Sequence, residues 1–237
     1  MSDPGFLTKL ETAIQVTAHQ AVCALYEFVF VLWSCPELIP PMYRLWEHSL
    51  RISPYTLFEQ EPPTTPSPEV EMTYGEILLP TVDKLFHKLA LGPDDHIIDL
   101  GAGRGRIVML AAARGLPATG VELLQTLVDI ATHATKGYLP LAQFKQGDIC
   151  DADLSEATLI WFSGTCFLKE TRATIAQRVV SQCKEGTHLI SSSLPLDHPQ
   201  LPVIEVYKGW TSWGRSPLYI QQLQQPSVET SPSSPTL

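Results

Sequence analysis

A chain of 237 residues that is 44% hydrophobic and 17% charged has the size and composition of a globular domain with an appendage. The net charge of -9 and the absence of any block of Lys and Arg argue against a protein that tracks a phosphate backbone, so no direct nucleic-acid partner is expected. Five cysteines, an odd number with no Cys-x-x-Cys pair, argue against a disulfide scaffold and a Cys-rich zinc site. A reducing, cytoplasmic setting and no metal are the expectations.

In chain order, residues 6–34 read as a helix ended by Cys35-Pro36. Its most apolar stretch, Ala21 to Cys35, is interrupted by Glu27 and is short for a bilayer crossing, so no membrane span is expected. A helix buried in the protein is the expected reading. A membrane-surface helix is the alternative that stays open, although such a helix would normally show a Lys/Arg-rich polar face and this one does not. No basic segment precedes the apolar one, so no signal peptide is expected. Pro40 and Pro41 are read as a loop, followed by a helix from Met42 to Arg51. Residues 1–59 thus form an N-terminal helical extension. The stretch 60–71, "QEPPTTPSPEVE", is Pro-rich and polar and reads as a linker. The main domain is expected over 72–225, and a disordered tail over 226–237, where almost nothing apolar remains.

Within the main domain helical and strand patterns alternate. Helices are predicted over Ile77–Leu91, Arg106–Arg114, Leu123–Lys136 and Lys169–Lys184. Strands are predicted at His96–Leu100, Ala118–Val121, up to Gln146, Ala157–Ser163 and His188–Ser192. Alternation of this kind implies a parallel sheet covered by helices on both faces. "PVIEVYKGW" and "PLYIQQL" follow with no helix between them and read as an antiparallel pair. The predicted architecture is α/β: a Rossmann-like seven-stranded sheet of five parallel strands plus a C-terminal antiparallel hairpin, with the N-terminal helical extension.

The chemistry concentrates at strand ends. Asp99 closes the first strand and is followed by Gly101, Gly103 and Gly105, where glycines allow a sharp turn and close approach of a ligand to the backbone. Glu122 ends the second strand, with Leu123 after it. Asp148 ends the third, with Ile149 after it. A lone loop Asp is usually a turn residue. Three acids at three successive strand ends beside a Gly-rich loop are a stronger pattern, because ligands of such sheets lie at the carboxyl ends of the strands. The dinucleotide fingerprint would need Gly where Arg106 stands, and no P-loop Lys follows the glycines. An acid-lined pocket repels phosphate and suits a cation. S-adenosylmethionine carries a sulfonium, an ammonium, a ribose and an adenine. Asp99 is assigned to its methionine end, Glu122 to the ribose and Asp148 to the base. Arg104 and Arg106 are candidates for the cofactor carboxylate, the alternative being simple surface residues.

"IDLGAGRG", "GVEL" and "GDI" resemble motifs of class I S-adenosylmethionine-dependent methyltransferases. "MTYGEILLP" ahead of the first helix, "ATLIWFSGTCFLKE", "LISSSLPL" and "SWGRSPLYIQQL" resemble, in order, the histone-lysine methyltransferases named for disruption of telomeric silencing. The Gly-loop half is also similar to mitochondrial protein-lysine methyltransferases that modify an ATP-synthase subunit. The resemblance implies that Tyr74 and Glu76 cover the cofactor and that Phe167, Trp213 and Tyr219 wall an acceptor channel, with Ser163 near the methyl group. The family's Asn-Asn pair is replaced here by Ser163-Gly164, and its basic nucleosome-binding segment is missing, so a nucleosome is not the expected substrate. The acceptor is a protein or a small molecule. Three readings stay open: N-methylation of a protein lysine, small-molecule methylation, and a cofactor-binding module without catalysis.

Overall fold

A computed structural model of the protein describes residues 6–49 and 75–225. The rest of the predicted extension (1–5 and 50–59), the Pro-rich stretch 60–71, residues 72–74 with Tyr74, and the tail 226–237 lie outside the described residues.

The sheet has seven strands: β1 (Ile97–Leu100), β2 (Ala118–Glu122), β3 (Ala142–Gln146), β4 (Leu159–Phe162), β5 (His188–Ser192), β6 (Val203–Thr211) and β7 (Gly214–Gln222). Their spatial order is β3-β2-β1-β4-β5-β7-β6. The first five are mutually parallel, and β7 runs antiparallel to both β5 and β6. Each of the five predicted parallel strands is present, within about two residues of its expected ends. The central β1 and β4 are buried along their whole length, which is why they read as unbroken apolar runs rather than as alternation.

Three helices alternate with the strands: α4 (Arg106–Ala113), α5 (Gln125–Thr135) and α6 (Lys169–Gln182). Ahead of them in the chain come α1 (Phe6–Ser34), α2 (Ile39–Ser49) and α3 (Leu79–Lys88). One core lies under α3, α4 and α5, with Trp161 against Phe86 at 6.2 Å. The second lies under α6 and contains Phe162, Ile175 and Val179. From β1 the chain winds outward to β3, then returns to place β4 on the other side of β1. The carboxyl ends of β1 and β4 therefore flank the point where strand order reverses, the place where such sheets leave a crevice.

Two expectations about the extension are corrected. Pro40 and Pro41 are not a loop: both sit in the first turn of α2, where a helix needs no N–H donors and the fixed φ of proline fits. The Ala21–Cys35 stretch is not a buried helix either. Val31, Cys35, Leu38 and Leu45 join the main core, but Val22, Leu25, Phe28, Val29, Leu32 and Trp33 are exposed, Trp33 by 84%. The run is apolar all round, and a helix lying on one domain can bury only one of its faces.

Candidate active site

The predicted acids do converge on the carboxyl edge of the sheet. Asp99, in β1, is 2% exposed, and Glu122, the last residue of β2, is 8% exposed. The loop between β1 and α4 turns through Gly101, Gly103 and Gly105 at φ of +78°, +55° and +75°. Gly105 also has no room for a side chain: a Cβ there would lie 2.3 Å from the Phe144 ring. The loop is held by Glu122, whose two oxygens accept hydrogen bonds from Gly103 N (2.8 Å) and Leu124 N (3.0 Å). Burial pushes the Glu122 carboxyl above its usual range, opposed by these backbone donors. Burial, reinforced by the Glu122 charge, pushes Asp99 up to about 8.

Two acids buried side by side are costly when both ionise, and a cationic group bound between them relieves that cost. The donor set therefore fits the ammonium and sulfonium of the predicted cofactor and opposes a phosphate. Asp148 caps a short turn, Ile149–Asp151, by accepting from Cys150 N at 2.8 Å. Leu123 is half-buried, and Ile149 is buried in the second core cluster.

The segment containing Glu76 is fixed from two sides. Glu76 N donates to Ser212 Oγ (3.1 Å) and Ser212 N donates to Glu76 O (2.8 Å), while Ile77 bridges Thr211. Gly75 lies under the Trp213 ring so closely that a Cβ would sit 2.5 Å from it. From the other side, the Arg106 guanidinium at the start of α4 donates to the Glu76 carboxylate. Ser192, the last residue of β5, pairs with Leu218, so Gly214 to Pro217 and the β6–β7 turn overhang the carboxyl edge and carry Trp213 there, 45% exposed. Tyr219 faces Ser191 one step inside that edge. Phe167 packs on Phe162, ring centroids 5.1 Å apart, and lies 3.8 Å from where a Gly101 Cβ would be. Ser163, just past β4, accepts from Trp161 Nε1 at 3.3 Å.

Two features were missed in the sequence. One is Glu27 of α1, whose Oε2 accepts from Arg106 Nη2 (2.5 Å) and whose Oε1 accepts from Leu79 N (2.7 Å) at the start of α3. Arg106 thus stands between Glu27 and Glu76, and the extension reaches the edge of the cofactor loop. The signal was present: one carboxylate alone in an apolar helix face calls for a partner. The other is a hydroxyl cluster where β4 and β5 end. Thr165 Oγ1 lies 2.9 Å from Ser192 Oγ and 3.0 Å from Ser193 Oγ, and Ser193 Oγ lies 3.2 Å from Ser216 Oγ. Ser193 holds a φ of +66°, an uncommon backbone for a residue with a side chain.

The family model described as "Histone methylation protein DOT1" matches residues 67–201, more than half of the chain. The chain belongs to this family. A DOT1 family member with this sheet and loop is a class I S-adenosylmethionine-dependent methyltransferase. The chain is also 26% identical over 125 residues, 48% of its length and 73% of the relative's, to a protein-lysine N-methyltransferase of Saccharolobus islandicus. Among solved structures it is similar to an RNA methyltransferase from Salinibacter ruber in complex with S-adenosyl-L-homocysteine, at 25% identity and a TM-score of 0.52, covering 69% of this chain and 97% of that one. It shares the fold, at 16% identity and a TM-score of 0.50, with the magnesium protoporphyrin IX methyltransferase of a Synechocystis species with bound cofactor, covering 61% of this chain and 79% of that one.

Proposed function

We propose that this DOT1 family member N-methylates a lysine side chain of a protein. The observation that carries the proposal is the double anchoring of the Gly75–Glu76 segment, to the Gly loop through Arg106 and to the overhanging hairpin through Ser212 and Trp213. Only the family resemblance gives that segment a role, as a cover over the cofactor. The relationship to a protein-lysine N-methyltransferase supports the same acceptor.

In this reading Asp99 and Glu122 hold the cationic and ribose parts of S-adenosylmethionine, and Gly101 and Gly103 let it lie against the backbone. Asp148, Leu123 and Ile149 surround the base. Tyr74 and Glu76 close over the methionine end, with Arg106 holding Glu76 in place. When bound, the cofactor supplies an electrophilic methyl group on sulfur. The protein's remaining work is on the acceptor. A lysine ammonium, with an ordinary pKa of about 10.4, must lose a proton before its nitrogen can attack. Aromatic walls from Phe167, Trp213 and Tyr219 desolvate the ammonium and lower that pKa, so its proton passes to bulk water as the side chain enters and no strong base is required. The same walls align the nitrogen with the methyl group and exclude water. Ser163 lies at the methyl end of the channel.

The test is transfer from methyl-labelled cofactor to three fractions of a cell extract: protein, RNA and small molecules. Label in protein, recovered as N-methyl-lysine after hydrolysis and lost when lysines are blocked beforehand, is the expected result. Label in RNA would assign the acceptor of the Salinibacter relative instead, and label in the small-molecule fraction would make this a metabolite enzyme. Cofactor binding with no transfer to any fraction would leave a binding module.

A further inference from the structure

Among the described residues, nothing covers the outward face of α1. Val22, Leu25, Val29, Leu32 and Trp33 recur at helical spacing on one side, with Phe28 beside them, and their exposures run from 43% for Leu32 to 84% for Trp33. Scattered apolar residues on a surface need no explanation, but a contiguous strip of this kind marks a contact surface. From Ala21 to Trp33 every exposed residue is apolar, and the only hydrogen-bonding side-chain groups on the exposed positions are the Tyr26 hydroxyl and the Trp33 indole. After a bend of 117°, α2 adds the exposed Ile39, Tyr43 and Trp46.

We infer that this face lies in the surface of a lipid bilayer, inserted by its apolar side chains and not attracted by charge. Three observations select that occupant. A protein partner of ordinary kind needs a polar rim with hydrogen bonds, and this strip offers almost none. Anionic headgroups need basic side chains, whereas Gln20 to Ser34 contains neither Lys nor Arg and the whole chain carries a net charge of -9. The exposed Tyr and Trp rings suit the boundary between headgroup and hydrocarbon. The usual Lys/Arg-rich polar face of an interfacial helix is not required here, because the opposite side of α1 is occupied by the catalytic domain. That side holds Val31 in the core and Glu27 on Arg106 and Leu79. These bonds also keep α1 against the domain, so it lies on the membrane and does not cross it. Among the described residues no single helix is long and apolar enough to cross; α1 and α2 reach that length and hydropathy only as a pair, across the 117° bend.

The experiment is flotation of the full chain, purified in mild detergent and diluted into phosphatidylcholine vesicles, at low and high salt. The comparison protein carries Leu25→Glu, Val29→Glu and Leu32→Glu together. The wild type is expected to float with neutral vesicles equally at both salt concentrations, and the triple variant to partition at least about tenfold less. The thermal shift with S-adenosylhomocysteine checks that the variant is folded. If it is not, Leu25→Ser and Leu32→Ser taken singly replace it, each expected to weaken flotation. Wild type left in the soluble fraction would overturn the inference. So would binding confined to phosphatidylserine vesicles and lost in salt, or flotation of every variant as strong as wild type. A homodimer that the triple variant splits, without vesicle binding, would assign the face to a second copy of the chain instead.

Discussion

Asp99 is the residue at which stability and function pull in opposite directions. Its ordinary pKa is 3.8 and its folded one about 8, raised first by burial and then by the Glu122 charge. Between those values the unfolded chain has released the proton and the folded one has kept it. The stability contributed by this group is therefore complete below about pH 4, declines by up to about 1.4 kcal/mol per pH unit, and is gone above about pH 8. A cationic cofactor favours the ionised form, so binding should release a proton and strengthen as pH rises toward 8. Asp99→Asn should melt above the wild type at pH 8, lose this pH dependence, and show a smaller shift with S-adenosylhomocysteine. Melting curves across the pH range with and without ligand test all three. Glu27 gives a second prediction at this scale. Glu27→Gln removes one carboxylate from the buried Arg106 guanidinium, at a cost of about 2 kcal/mol, and should weaken cofactor binding by loosening Glu76. Because both residues act through Arg106, Arg106→Gln added to Glu27→Gln should cost less than the sum of the two, measured by calorimetric binding and denaturant unfolding.

Among the elements, the β6–β7 hairpin and the segment at Gly75 form the pair on which the proposed cover depends. In Gly75→Ala the new methyl group would meet the Trp213 ring, which must move or push the segment off the Gly loop. The expected result is about tenfold weaker cofactor binding, as for about 1.4 kcal/mol of overpacking. Trp213→Leu in the same chain should restore most of it by making room, while acceptor methylation stays low because the aromatic wall is gone. No restoration would place the two apart in solution. These contacts also show what the sequence made legible. The strands and helices of the main domain could be read because their burial imposes apolar runs and helical spacing, and their ends carry Gly or acids. The Gly loop and its three acids could be read because strand order puts consecutive strand ends side by side. The bonds from Glu27 to Arg106 and Leu79 could not, since residues so distant along the chain meet only through the docking of α1. Pro40 and Pro41 misled because proline is as much at home in the first turn of a helix as in a loop.

For the molecule as a whole, the question is whether the extension is a separate module or a part of the catalytic fold. Its buried residues Cys35, Leu38 and Leu45 belong to the same core as Leu85, Met109 and Leu127. Polar links run alongside: Arg114 Nη1 donates to Ser34 O at 2.7 Å, and Arg44 Nη1 donates to the carbonyls of His133 and Lys136 at the end of α5. Arg44 also stacks 4.6 Å over Tyr138. A core shared in this way should unfold in one step. Leu38 is fully buried and contacts both parts, so Leu38→Ala should cost about 2–5 kcal/mol and lower a single calorimetric transition. Bound S-adenosylhomocysteine should raise that same transition, because ligand at about 100 times its dissociation constant adds about 2.7 kcal/mol to whatever unfolds with its site. Two transitions, with only the lower one moved by Leu38→Ala and only the upper one moved by ligand, would instead make the extension a module resting on an independently stable catalytic domain.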